Sequence, residues 1–198
     1  MNKMFAFMVG ALLVGAPYAV QAKEIKEVSS GESFPETVSF EADGTNYDLN
    51  ITGTALRKKF IVKVYAVAGY VEKGAVVSGD KFEQIQNGDI AKQLTMKWLR
   101  GATVNQLQDG YRESFKSVFG DDAEMAKTID EFVAFLNEPA KKGDVQVLRF
   151  IPGGIVEYEL NGKKIGQIEN EAFQKGLLSI WFGPNSVVNR DSLTSLIK

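Results

Sequence analysis

The chain has 198 residues, 44% hydrophobic and 24% charged, with 23 Lys and Arg against 25 Asp and Glu for a net charge of −2. It contains no cysteine and no histidine, which excludes disulfides, thiolate nucleophiles, Ser-His triads and the usual zinc sites. The charge balance gives no electrostatic reason to expect nucleic acid or an anionic membrane surface. Chemistry is left to carboxylates, Lys, Arg, Tyr and hydroxyls, acting by charge stabilisation with no cofactor or metal expected.

In chain order, Lys3, the apolar run from Met4 to Ala16 and the small-residue site Val20-Gln21-Ala22 read as a secretory signal peptide cut after Ala22. The run is short for a bilayer and polar residues follow it, so no stable membrane insertion is expected. Residues 23–198 then suit one domain with its own core, periplasmic or secreted. Lys23 to Ser33 is polar and reads as a loose lead-in, after which Thr37 to Ala42 and Asn46 to Thr52 flank Asp43-Gly44 as a hairpin. Phe60 to Tyr70 reads as one long strand, apolar on both faces and so doubly covered. After a loop from Lys73 to Asp80 and a short helix at Phe82 to Gln86, Gln93 to Arg100 alternates Leu94, Met96 and Trp98 against Thr95 and Lys97, a half-buried strand.

Two helices follow. The first carries Val104, Leu107, Tyr111, Phe115 and Val118 on one face and breaks at Gly120. The second starts at Asp121 with Glu124 in capping-box spacing and buries Met125, Ile129, Phe132, Val133 and Leu136 before Pro139. Asp144 to Ile151, Ile155 to Leu160 and Lys163 to Ile168 are three strands joined by Pro152-Gly153-Gly154 and Asn161-Gly162. Asn170 caps a helix that turns Phe173, Leu177, Ile180 and Trp181 inward, and Asp191 or Ser192 opens a short terminal helix. Strands in runs and helices in runs give an α+β fold, an antiparallel sheet with a helical layer.

Four segments carry a family resemblance: Phe34-Pro35-Glu36-Thr37-Val38, the stretch from Gly53 to Val71, Asn161-Gly162, and Ala172 through Phe173-Gln174-Lys175-Gly176-Leu177 to Gly183. Together they resemble the chalcone isomerase-like family in its bacterial exported branch. The resemblance implies a curved antiparallel open-faced sandwich with a ligand cleft between sheet and helices. The family includes plant isomerases, fatty-acid binders and members without assigned chemistry.

Arg57 cannot shed its charge, so beside a long, nearly uncharged strand it needs water, an acidic side chain or an anionic ligand. By the resemblance it occupies the place of the family's arginine, which faces the cleft. Tyr65 falls where the plant isomerases have a catalytic threonine and the fatty-acid binders a tyrosine that helps hold a carboxylate. A guanidinium grips a carboxylate through two parallel bonds, and a phenol adds a donor without a second charge. Leu94, Met96, Trp98, Leu107 and Tyr111 are expected to receive an apolar tail. The tyrosine and asparagine of the plant enzymes fall on Leu107 and Ser114, which do not match, with Tyr111 nearby in another register. A further polar position falls at Asn189 or Arg190.

The expected function is therefore a non-catalytic, exported binder of a small amphipathic carboxylate such as a fatty acid. Two alternatives stand beside it: an isomerase or intramolecular lyase using Arg57 on a chalcone-like enone, and an envelope structural or partner-binding protein whose cleft is plugged by Tyr65, Trp98 and Phe60. Of the other polar clusters, Lys58-Lys59 reads as a solvated strand edge, Arg149 as a structural ion pair, Asp121, Asp122 and Glu124 as a helix start, and Gly153-Gly154 as a turn.

Overall fold

The computed structural model describes residues 23–77 and 79–197, so the expected signal peptide lies outside the described residues. Two turns set the frame. Asp43-Gly44 and Asn161-Gly162 adopt positive φ at both residues (49° and 73°, 51° and 80°), as tight two-residue hairpin turns of this type require. They close β3 (Thr37–Ala42) onto β4 (Thr45–Lys59) and β8 (Ile155–Leu160) onto β9 (Lys163–Glu169). Between them lie β5 (Val62–Glu72), β6 (Lys92–Trp98) and β7 (Val145–Ile151). The seven strands pair antiparallel in chain order, a meander from β3 to β9.

Among the described residues five helices are inserted around this sheet: α1 (Lys81–Asn87), α2 (Val104–Phe119), α3 (Ala123–Ala134), α4 (Glu171–Phe182) and α5 (Arg190–Leu193). Thr103 and Gln106 form a reciprocal capping box at the start of α2, while Asp122, rather than Asp121, caps α3 by accepting from the Glu124 and Met125 amides. Strand alternation gives the sheet two apolar faces. Val67, Leu94, Met96, Leu148, Phe150 and Tyr158 meet the helices' Phe115, Phe132, Phe173 and Trp181 in the main core. Ala66, Ala68 and Tyr70 meet Phe34, Leu49 and Ile51 on the other face.

Three expectations change. The lead-in is not loose: β1 (Glu24–Lys26) pairs with β2 (Ser33–Pro35), and Phe34 is fully buried in the second core. The strand expected to end at Thr52 runs on through Gly53 to Lys59 as the 15-residue β4, where Thr52 is an extra residue between the Ile51–Tyr70 and Gly53–Gly69 pairs. Phe60-Ile61 is the hairpin turn rather than the start of the next strand, with Phe60 at φ 56°; an apolar run reads as a strand when no Gly or Asn marks the reversal.

The bulge at Thr52 seats the C-terminal segment. Thr52 donates its hydroxyl to the Leu193 carbonyl at 2.8 Å and accepts the Leu196 amide on its own carbonyl at 2.8 Å. Residues 186–188, just before this seated segment, are held to the end of α4, where the Val187 amide donates to the Ile180 carbonyl at 2.9 Å and the Ser186 hydroxyl to the Trp181 carbonyl at 2.6 Å.

Lys92, 2% exposed, offers a test of the packing. Its ammonium donates to the Gly88 carbonyl at 2.5 Å, and burial lowers its pKa from 10.5 to about 8, with Asp89 opposing and Lys175 adding to the shift. Between those values the unfolded chain binds the proton that the folded protein has lost, so stability rises with pH through that window. Above about 10 the sign reverses, because burial holds Tyr65, Tyr70 and Tyr158 protonated beyond their ordinary value while the unfolded phenols ionise. Urea unfolding is expected to show stability gaining on the order of 2 kcal/mol from pH 8 toward 10 and then declining, and Lys92→Met is expected to flatten the rise.

Candidate functional site

Register places three of the expected residues in one row. Arg57 on β4 pairs with Tyr65 on β5, and Tyr65 pairs with Trp98 on β6. All three point to the helical face. A second bulge makes the row possible: Lys58 pairs with Lys63 and Arg57 with Tyr65, so Val64 is an extra residue. Such irregularities re-aim side chains at the ends of strands.

The row forms one wall of a cleft of about 560 Å³. Leu107, Tyr111 and Ser114 of α2 form the facing wall, and Ile180, Trp181 and Val187 close the end. Six of the seven expected residues therefore share one cavity. Asn189 does not. It caps α5 by accepting the Ser192 amide at 2.9 Å and lines a separate groove of about 710 Å³ between residues 25–29 and 186–196. Leu94 and Met96 are also outside the cleft, each 1% exposed within the main core. Phe60 plugs nothing, since it is 92% exposed. Ser114 is directed to its own helix, donating to the Gly110 carbonyl at 2.8 Å.

Among the described residues Arg57 has no carboxylate within ion-pair distance; one of its N–H groups donates to the Val187 carbonyl at 2.9 Å. A guanidinium has five such donors, so most of its fork remains for a ligand. Arg149, by contrast, lies on the opposite face and pairs with Glu159 at 2.7 Å and Glu157 at 3.8 Å.

Two indoles set the direction of two phenols. Trp181 donates its ring N–H to the Tyr65 oxygen at 3.0 Å. Trp98 donates to the Gln146 side-chain oxygen at 3.3 Å, and the Gln146 amide donates to the Tyr111 oxygen at 2.7 Å. Because an indole can only donate, it fixes which end of the Gln146 amide faces Tyr111. Both phenol oxygens thus receive a hydrogen bond, and among the described residues neither phenol has an acceptor for its own proton. Burial pushes Tyr65 up to about 12, against the opposing pull of the Trp181 bond and the Arg57 charge. Burial also raises Tyr111 well above its ordinary value, with Tyr65 and Tyr158 adding to the shift and the Gln146 bond opposing it. These phenols are neutral donors near pH 7, poor as bases and well suited to an oxyanion.

The site thus combines a fixed positive charge, two oriented hydroxyl donors and an apolar end, which together can hold a carboxylate or a developing oxyanion. Trp181, Gln146 and the Val187 carbonyl are parts of it that the sequence reading did not assign. Gln146 carried a signal, being polar at a position that alternation with Leu148 and Phe150 turns toward the core.

The family model described as chalcone isomerase-like matches residues 24–193. Among solved structures, a crystal structure of a fatty-acid binding protein of Arabidopsis thaliana superposes with a TM-score of 0.70 at 16% identity, covering 87% of this chain and 96% of that one. No curated protein sequence matches the chain.

Proposed function

The chain belongs to the chalcone isomerase-like family, and we propose that it is an exported protein that binds a long-chain or other amphipathic carboxylic acid, with the head group on Arg57, Tyr65 and Tyr111. The observation that carries this reading is the Arg57 guanidinium, which faces a cleft of about 560 Å³ with no acidic partner among the described residues. That volume lies within the range of small-molecule sites, roughly 300–1,000 Å³. An unpaired charge in such a place is costly unless an anion completes it. The likeness in fold to a fatty-acid binding protein agrees with this reading. Export is supported by the leader-like opening of the sequence, Met1 to Ala22.

The isomerase alternative draws on the same donors, since a developing enolate would also be stabilised by Arg57 and the two phenols. It has less support in the supporting shell. The places of the plant enzymes' tyrosine and asparagine hold Leu107 and Ser114, one apolar and one bonded within its helix.

The chain has two tryptophans, Trp98 and Trp181, and both line the cleft. Titration with palmitic acid is expected to change their fluorescence saturably, whereas hexadecanol, which has the tail and no carboxylate, is expected to bind much more weakly. No saturable change with the acid, or equal binding of the alcohol, would remove the support for a carboxylate site.

A further inference from the structure

The turn of the β4–β5 hairpin is built unlike the other two-residue turns of the sheet. Where Asp43-Gly44 and Asn161-Gly162 use residues that accept positive φ, this turn uses Phe60 at φ 56° followed by Ile61. A bulky residue there is strained. Both side chains stand in solvent, Phe60 92% and Ile61 94% exposed, with Val62 at 39%.

The apolar tip is ringed by Lys58, Lys59 and Lys63, all exposed. Among the described residues none of the three has a carboxylate within ion-pair distance. Lys63 donates to the Ser29 carbonyl and so draws alongside the 28–31 turn, whose Val28 is 92% exposed. The acid beside that turn, Glu27, is largely occupied: its carboxylate accepts the Ser29 and Ser30 amides, and against burial these bonds, with the nearby Lys63 charge, lower its pKa, though Lys63 lies beyond ion-pair distance. A chain of net charge −2 thus carries one local end that is both basic and apolar.

We propose that this hairpin tip docks the protein on an anionic phospholipid surface, with Phe60 and Ile61 entering the interface and the lysines meeting lipid phosphates. Charge complementarity favours a bilayer as the occupant. Size favours it as well, because a stable protein partner needs roughly 800 Å² from each side, whereas interfacial anchoring works with a few apolar side chains and adjacent basic residues. The tip also adjoins the mouth of the cleft, which Lys59 and Val64 line. Docking would therefore place that mouth at the membrane, whatever the cleft holds.

Sedimentation with vesicles tests this. The protein is expected to bind vesicles of equal parts phosphatidylglycerol and phosphatidylcholine, to bind pure phosphatidylcholine less, and to release from the anionic vesicles as salt rises. Phe60→Asn with Ile61→Ser keeps a residue that tolerates positive φ, and is expected to weaken vesicle binding roughly tenfold or more while palmitic acid binding in solution is unchanged. Lys58→Gln with Lys63→Gln is expected to remove most of the anionic preference. Failure of the wild type to sediment with either vesicle, or sedimentation of the Phe60 and Ile61 variant like the wild type, would overturn the docking site. The acid-binding reading fails separately, in the titration without vesicles.

Discussion

Arg57→Ala is expected to weaken the binding of a long-chain acid by roughly a hundredfold or more while leaving the fold intact. Hydrogen bonds to charged groups are each worth about 1.5–3 kcal/mol, and a guanidinium offers a carboxylate two in parallel. The substitution should be tolerated structurally, because among the described residues Arg57 makes one hydrogen bond, to the Val187 carbonyl at 2.9 Å, and no ion pair. Arg57→Lys keeps the charge and loses the fork, so it is expected to fall between the two. Calorimetric titration with palmitic acid, alongside thermal unfolding of the same variants, checks both halves. Unchanged affinity in Arg57→Ala would separate acid binding from this residue.

The position of Arg57 was partly legible in the sequence. Its facing side chain, Tyr65, follows from the resemblance alone, and the helices that cover the row have clear periodicity and caps. What the sequence did not reveal was register. Whether Arg57 meets Tyr65 depends on the extra residue at Val64, and an apolar run gives no sign of a bulge. The link from Trp98 through Gln146 to Tyr111 spans residues far apart in the chain and depends on which strands become neighbours. The turn at Phe60-Ile61 was hidden for a different reason, because it lacks the usual turn residues. The further polar position that the resemblance places at Asn189 or Arg190 falls on a helix end, where Asn189 caps α5 and Arg190 donates to the Phe182 carbonyl.

Gly53→Ala is expected to destabilise the protein by about 3 kcal/mol or more. Its φ is 155°, and a Cβ placed there would lie 2.3 Å from the Ser192 carbonyl oxygen and 2.7 Å from the Leu193 carbonyl carbon. Both obstacles are backbone, so neither can swing aside. Gly69, the register partner of Gly53, is similarly hemmed in, with Thr52 Oγ1 at 2.7 Å from the corresponding position. The two paired glycines leave one face of the sheet bare of side chains, and the C-terminal segment packs there beside the bulge at Thr52. Forcing a methyl onto that face combines backbone strain with overpacking.

The consequence reaches the cleft, because the seated segment follows directly on residues 186–188, whose Val187 carbonyl Arg57 bonds. Gly53→Ala should therefore reduce acid binding along with stability, unlike Arg57→Ala. Gly110→Ala is the contrasting case. That glycine lies within α2 with open space where the methyl would go, so a gain of about 0.5–1 kcal/mol is expected. Urea unfolding of the two variants side by side measures the difference, and equal small effects would mean that the C-terminal segment does not rest on Gly53.

A crystal structure of the protein grown with palmitate tests the head-group assignment most directly. The account predicts carboxylate oxygens within hydrogen-bond distance of Arg57 and Tyr65, with the acyl chain running toward Leu107 and Ile180. Palmitate lying instead in the groove between residues 25–29 and 186–196, its carboxylate on Lys26 or Lys58 and the Arg57 cleft without it, would contradict the account.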